Sequence, residues 1–325
     1  MNQQTHLMRW LTIAALADWL IARTVTRSAI FMPKSPPVLA AFEILSLAAP
    51  VAVTLAGLLA LAGIIWLARR LRRASRGWLS YGLSVLAGLS LLFIVVPSAG
   101  WLAVVYHLLV LAVVALISVE RRRGNVSTRV AGLSVAAALV AGELYQLNSA
   151  LSVALRLPEA LPIGGLLFNL GEACVVASTI ALWRAYGRGA GWRVWLGAAL
   201  LALAFSAGYL RNPEMTGVLA IWSIGLTLYL PWPLYAIAIA LSTATIIQSL
   251  RRGSGAGWAI LLFAAGGYAP QFSSQVFLGL IGLWLLNASS SLSAQPQPSP
   301  DQPEHATVAP LSGRQTGQAA FPAGS

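Results

Sequence analysis

Apolar residues in this chain come in long uninterrupted runs, and arginines punctuate them. The run from Val38 to Ala68 ends in Arg69, Arg70, Arg72, Arg73 and Arg76, and a second run leaves from Trp78 and continues to Val96. A helix of about 20 apolar residues crosses a hydrocarbon core about 30 Å thick and satisfies its own backbone groups on the way. The unit reads as a transmembrane hairpin with an arginine-anchored bend. It recurs with bends at Arg121 to Arg129, at Arg184 to Arg193 and at Arg251 to Arg252.

A shorter apolar segment, Leu7 to Ala22, precedes the first hairpin, and the remaining spans are Trp101–Val119, Val130–Leu155, Ile163–Trp183, Trp192–Leu210, Met215–Leu250 and Gly257–Asn287. The fold class is all-α: a polytopic helical membrane protein with about nine transmembrane helices, an N-terminal helix plus four hairpins. Residues 1–37 hold the first helix and an external loop, 38–287 the bundle, and 288–325 a Ser-, Pro-, Gln- and Ala-rich tail read as disordered and external. Small residues every fourth position, at Ala52, Ala56 and Ala60 and at Ala198, Ala202 and Ser206, let helices approach closely.

Composition agrees: 58% of residues are hydrophobic, 9% are charged, and the mean hydropathy is +0.76. A net charge of +12 suggests nucleic acid in a soluble domain, yet 15 of the 21 basic residues fall in the N-terminus and the four bends. Topology accounts for them, so the partner is the lipid bilayer and not nucleic acid. The positive-inside rule puts the N-terminus and the bends on the cytoplasmic side of a cell membrane and the C-terminal tail outside. Asp18 interrupts the first apolar segment and no small-x-small site follows, so a retained helix is favoured over a cleaved signal peptide. The single cysteine, Cys174, allows no disulfide framework or thiolate cluster.

Met215 to Leu250 reads as one helix kinked at Pro231 and Pro233. Counted from the last bend, Trp232 and Gln275 both lie about 27 Å from the cytoplasmic end. That levels Tyr229, Trp232, Tyr235 and Gln275 as an outward-facing pocket; an interfacial aromatic belt explains the same residues without a ligand.

The same counting brings ionisable groups to one depth. His107, Glu143 and Glu172 lie about 17 to 20 Å from the cytoplasmic face, and Asp18 about 14 Å. A charge at the bilayer centre costs roughly 2.5 to 3.5 kcal/mol on insertion scales, so such groups face a bundle interior or a water-filled path. A histidine among carboxyl groups suits proton relay, quinol oxidation or cation coupling. The plainer alternative has both glutamates protonated and joining helices by hydrogen bonds.

Absences narrow the chemistry. One intramembrane histidine cannot supply bis-histidine haem ligation or a histidine zinc site, and no phosphate loop, dinucleotide fingerprint or nucleophile elbow occurs. This chain alone is expected to bind no metal or cofactor and not to act as an autonomous enzyme; a quinone remains a candidate ligand. The first functional expectation is a hydrophobic subunit of a respiratory or other redox complex, supplying a quinone pocket or proton path beside partner subunits that carry the redox cofactors. In topology alone the chain resembles the cofactor-free anchor subunits of bacterial and archaeal respiratory complexes, with no shared motif. The alternative is a secondary transporter or channel for a neutral or cationic solute, which the repeated hairpins and the broken helix favour.

Overall fold

Helical backbone follows the apolar runs. The computed structural model describes residues 2–18, 36–74, 76–95, 100–119, 126–157, 163–211, 232–253, 255–266 and 273–292. Among these residues stand ten α-helices: α1 Asn2–Asp18, α2 Pro36–Arg73, α3 Gly77–Val95, α4 Gly100–Val119, α5 Val126–Ala154, α6 Gly164–Leu182, α7 Trp192–Arg211, α8 Trp232–Arg251, α9 Gly255–Gly266 and α10 Ser273–Leu292. A π-helical turn, Trp183–Gly187, extends α6. Met1–Ala294 forms one compact unit. The tail from 293 onward lies outside the described residues, while 288–292, expected in the tail, are the last residues of α10.

Among the described residues, three helices are long and apolar enough to cross a membrane: α2 over Thr54–Arg73, α4, and α5. Shorter apolar stretches lie at Gly77–Leu92 in α3 and Val276–Ala288 in α10. With 38 residues, α2 is about 57 Å long, so its first half extends past any 30 Å core that holds its second.

The hub of the bundle is α5, which packs on α4, α6, α10 and the π turn. Its buried positions include Ala131, Gly132, Ala136, Ala138, Ala141 and Gly142. Side chains this small let three neighbours approach the same helix, and dispersion over the close backbones holds them there. A Cβ on Gly279 of α10 would stand 3.2 Å from Leu139 Cδ2, which marks one such approach. Ala56, Ala60, Ala198 and Ala202 of the small-residue repeats are likewise buried.

The arginine bends are tied by backbone acceptors. Ser80 Oγ donates to the Ala68 carbonyl at 2.8 Å across the α2–α3 bend. Arg252 Nη2 donates to the Arg188 carbonyl at 2.7 Å, and Gln248 Nε2 to the Gly189 carbonyl at 3.3 Å, so the end of α8 meets the α6–α7 bend. Gly189 turns that bend with φ +79°, a conformation that favours glycine.

One expectation is revised and another is placed only in part. Pro233 sits in the first turn of α8, Trp232–Arg251, where its missing N–H has no intrahelical partner to lose. Residues 212–231, with Pro231 and the rest of the helix expected over Met215–Leu250, lie outside the described residues. The stretch expected as one span, Gly257–Asn287, forms two helices, α9 and α10, packed closely on each other. Asn287 Nδ2 donates to the carbonyl of Ile117, near the end of α4 that leads into the Arg121 bend. Trp284 lies under the Arg70 guanidinium, 5.7 Å away, at the bend between α2 and α3. The chain leaves the arginine end at Gly255 and has returned to it by Asn287.

Candidate functional site

The site grows from two helices that share one bend. On α4, Tyr106, Val110, Val113 and Ile117 form a buried stripe at helical spacing, and His107 stands beside it. On α5, Glu143 follows Ala141 and Gly142 in the tightly packed middle of the hub helix. Counted from Val119 on α4 and from Val130, one turn into α5, a rise of 1.5 Å per residue carries both groups about 18 to 20 Å from the bend.

There they meet. His107 Nδ1 lies 2.7 Å from Glu143 Oε2, with the histidine side chain 16% exposed and the glutamate 2%. The Tyr106 ring packs edge-on against the imidazole, centroids 5.4 Å apart and planes at 84°. A contact this short holds one proton between imidazole and carboxyl, either as acid and base or as an ion pair. The ring is partly exposed and the carboxyl is enclosed. Chemically, the arrangement can take a proton at one imidazole nitrogen and pass it from the other to Glu143 with little movement of heavy atoms.

The other expected members are placed only by their backbones. Glu172 lies on α6, ten residues before its last residue Leu182, and Asp18 is the last residue of α1; both side chains fall outside the described residues. The same holds for Trp232 and Tyr235 on α8 and Gln275 on α10, and Tyr229 is outside altogether. The fold-back of α10 also separates two of the expected pocket residues in depth. Trp232 is 19 residues, about 28 Å, from Arg251, whereas Gln275 is 12 residues, about 18 Å, from Asn287 at the arginine end. No cluster of three or more metal-ligating side chains stands among the described residues.

Sequence reasoning missed a second set of buried polar atoms. Asn148 Oδ1, Trp183 Nε1, Ser242 Oγ, Thr243 Oγ1 and Ser249 Oγ have no hydrogen-bond partner among the described residues. Ser242 and Ser249 are seven residues apart on one face of α8, with Thr245 between them, bonded at 2.6 Å to the Leu241 carbonyl. The π turn closes over Thr245: a Cβ on Gly187 would stand 2.9 Å from its hydroxyl oxygen, so only glycine fits. The signal was available in the run Ser242–Thr243–Ala244–Thr245 inside an apolar helix.

No protein family, no curated protein and no solved structure matches the chain.

Proposed function

We propose that this chain is a multi-pass helical subunit of a membrane redox complex and that its own contribution is a proton path through His107 and Glu143. The observation that carries the reading is the 2.7 Å contact between them within two apolar helices. Ionisable groups at such depth are costly and mark functional paths by default, and a histidine–carboxyl pair moves a proton without leaving an isolated charge. With three histidines and one cysteine in the whole chain, metal and haem centres belong to partner subunits. A quinone near Tyr229, Trp232 and Tyr235 would complete the redox reading, with Gln275 left out of that pocket by its different depth.

The arginine bends face the cytoplasm in this reading. The end of α10 then faces it too, which reverses the external placement expected for the tail.

The test is Glu143→Gln in native membranes. Glutamine keeps the shape and accepts a hydrogen bond but neither takes up nor releases a proton, so quinone-dependent electron flow should fall by roughly 100-fold, the scale of a lost proton-transfer group. Unchanged flow at normal protein level would sink the proposal.

One observation favours a second reading, a transporter or channel for a neutral or cationic solute. The α9–α10 pair enters and leaves at one end, and irregular backbone at membrane depth is tolerated where it is buried in protein or lines a cavity. Flux in proteoliposomes holding this chain alone, abolished by Glu143→Gln, would select it over the redox subunit.

A further inference from the structure

The His107–Glu143 pair stands unevenly between the two ends of its helices. On α4, His107 is 7 residues, about 10 Å, from Gly100 but 12 residues, about 18 Å, from Val119 at the arginine end. What lines the two directions differs more than their lengths.

Toward the arginine end, residues 108–117 of α4 and 135–142 of α5 carry no polar side chain. On the faces that hold the pair, Val110 and Val114 follow His107 by one and two turns, and Leu139 and Ala136 precede Glu143 by the same steps. All four are buried. Leu111 and Val140 beside them are partly exposed and equally apolar. A third helix closes on this stretch where Gly279 of α10 meets Leu139. The first hydroxyls beyond it, Ser118 and Ser134, donate to the carbonyls of Val114 and Ala131 in their own helices, at 2.7 and 2.8 Å.

Toward the other end the lining opens and turns polar. On α5, Gln146 stands one turn beyond Glu143 and is partly exposed, and Ser149, a turn further, is exposed. On α4, Ala103, one turn before His107, is partly exposed as well. Protons cross a hydrocarbon layer along hydrogen-bonding groups or waters, and buried water settles where it finds two or more polar partners. The ten residues 108–117, about 15 Å of α4, offer none.

We propose that the pair exchanges its proton with the side opposite the arginine bends, past Gln146, and that Val110, Val114, Ala136 and Leu139 seal it from the arginine side. The inference rests on the proton-path reading and gives that path a direction: with the bends in the cytoplasm, His107 and Glu143 answer to the external side.

The test uses the full chain with Cys174→Ser in sealed phosphatidylcholine vesicles, single cysteines, and the impermeant thiol reagent methanethiosulfonate-ethyltrimethylammonium, with Ala74→Cys marking the arginine side. Gln146→Cys and Ala103→Cys should react from the side opposite Ala74→Cys at least about 10-fold faster than from its own side, while Val114→Cys and Ala136→Cys react from neither, because a thiol among apolar groups forms little thiolate. Ala103→Cys keeps the test decisive if Gln146→Cys fails to assemble. Labelling of either outer position from the arginine side, no labelling of either, or labelling of Val114→Cys or Ala136→Cys from the arginine side would each overturn the proposal. Electron flow in Glu143→Gln is a separate readout: unchanged flow with one-sided labelling sinks the proton path and leaves the opening, and lost flow with labelling from the arginine side sinks the direction alone.

Discussion

The molecule handles charge in two opposite ways. Between α4 and α5, the enclosed Glu143 carboxyl and the mostly covered His107 ring answer each other at 2.7 Å. At the arginine end, Arg9 and Arg70 are exposed, and each rests a guanidinium on an indole face. The difference is set by what surrounds each group. A buried ionisable group without a partner retains its full desolvation cost, whereas an exposed cation keeps its hydration and gains only a modest contact from the ring. The buried pair is therefore a place where the fold depends on chemistry, and the arginine end is one where chemistry can change with the fold left standing.

The largest effect should come from separating the pair. His107→Leu alone should cost about 3 kcal/mol in reversible unfolding in detergent, because the enclosed Glu143 carboxyl then stays buried without its partner. His107→Leu combined with Glu143→Leu should cost less than the single change, since neither polar group remains to be desolvated. Additive losses in this double-mutant cycle would mean that the two side chains do not depend on each other.

A second comparison is topological and its outcome is all-or-none. In a Cys174→Ser background, single cysteines at Ala74 and at Ala288 should react with an impermeant thiol reagent from the same side of sealed vesicles. Labelling from opposite sides would restore a single crossing between Gly257 and Asn287 and break the hairpin assignment.

These two tests touch the most and the least legible parts of the chain. The depth of His107 and Glu143 could be counted from sequence because both helices leave one arginine bend with a fixed rise per residue. The fold-back of α10 could not. Gly257–Asn287 is long enough for one crossing, and the polar break at Gln271–Gln275 reads equally as a kink. What decides it is the docking of Asn287 on Ile117, 170 residues earlier, and of Trp284 under Arg70. The hub role of α5 was half-legible: Ala136, Ala138, Ala141 and Gly142 announce close approach, but smallness does not name the neighbours. Glu172 and the Tyr229 pocket remain readings of the sequence alone.

A smaller effect contrasts two threonines on α8. Thr245 donates to the Leu241 carbonyl, and Thr243, also buried, has no partner for its hydroxyl among the described residues. Valine keeps the shape of threonine and removes only the oxygen. Thr245→Val should therefore lower stability by about 1 kcal/mol, while Thr243→Val should leave it unchanged or raise it. A loss at Thr243 as large as at Thr245 would assign that hydroxyl a bonding role.

The smallest effect should be at Arg70. In phosphatidylcholine, Arg70→Gln removes the stacking on Trp66 and Trp284, and an exposed cation–π contact contributes about 0.5 to 1 kcal/mol. Arg70→Lys should recover part of that, because an ammonium is attracted by the ring but lacks the flat face that stacks. Melting curves in phosphatidylcholine read the loss. If Arg70→Gln cost as much as His107→Leu, the arginine would be part of the fold's own charge balance, and the division between a buried pair that holds the bundle and an exposed arginine end would be lost.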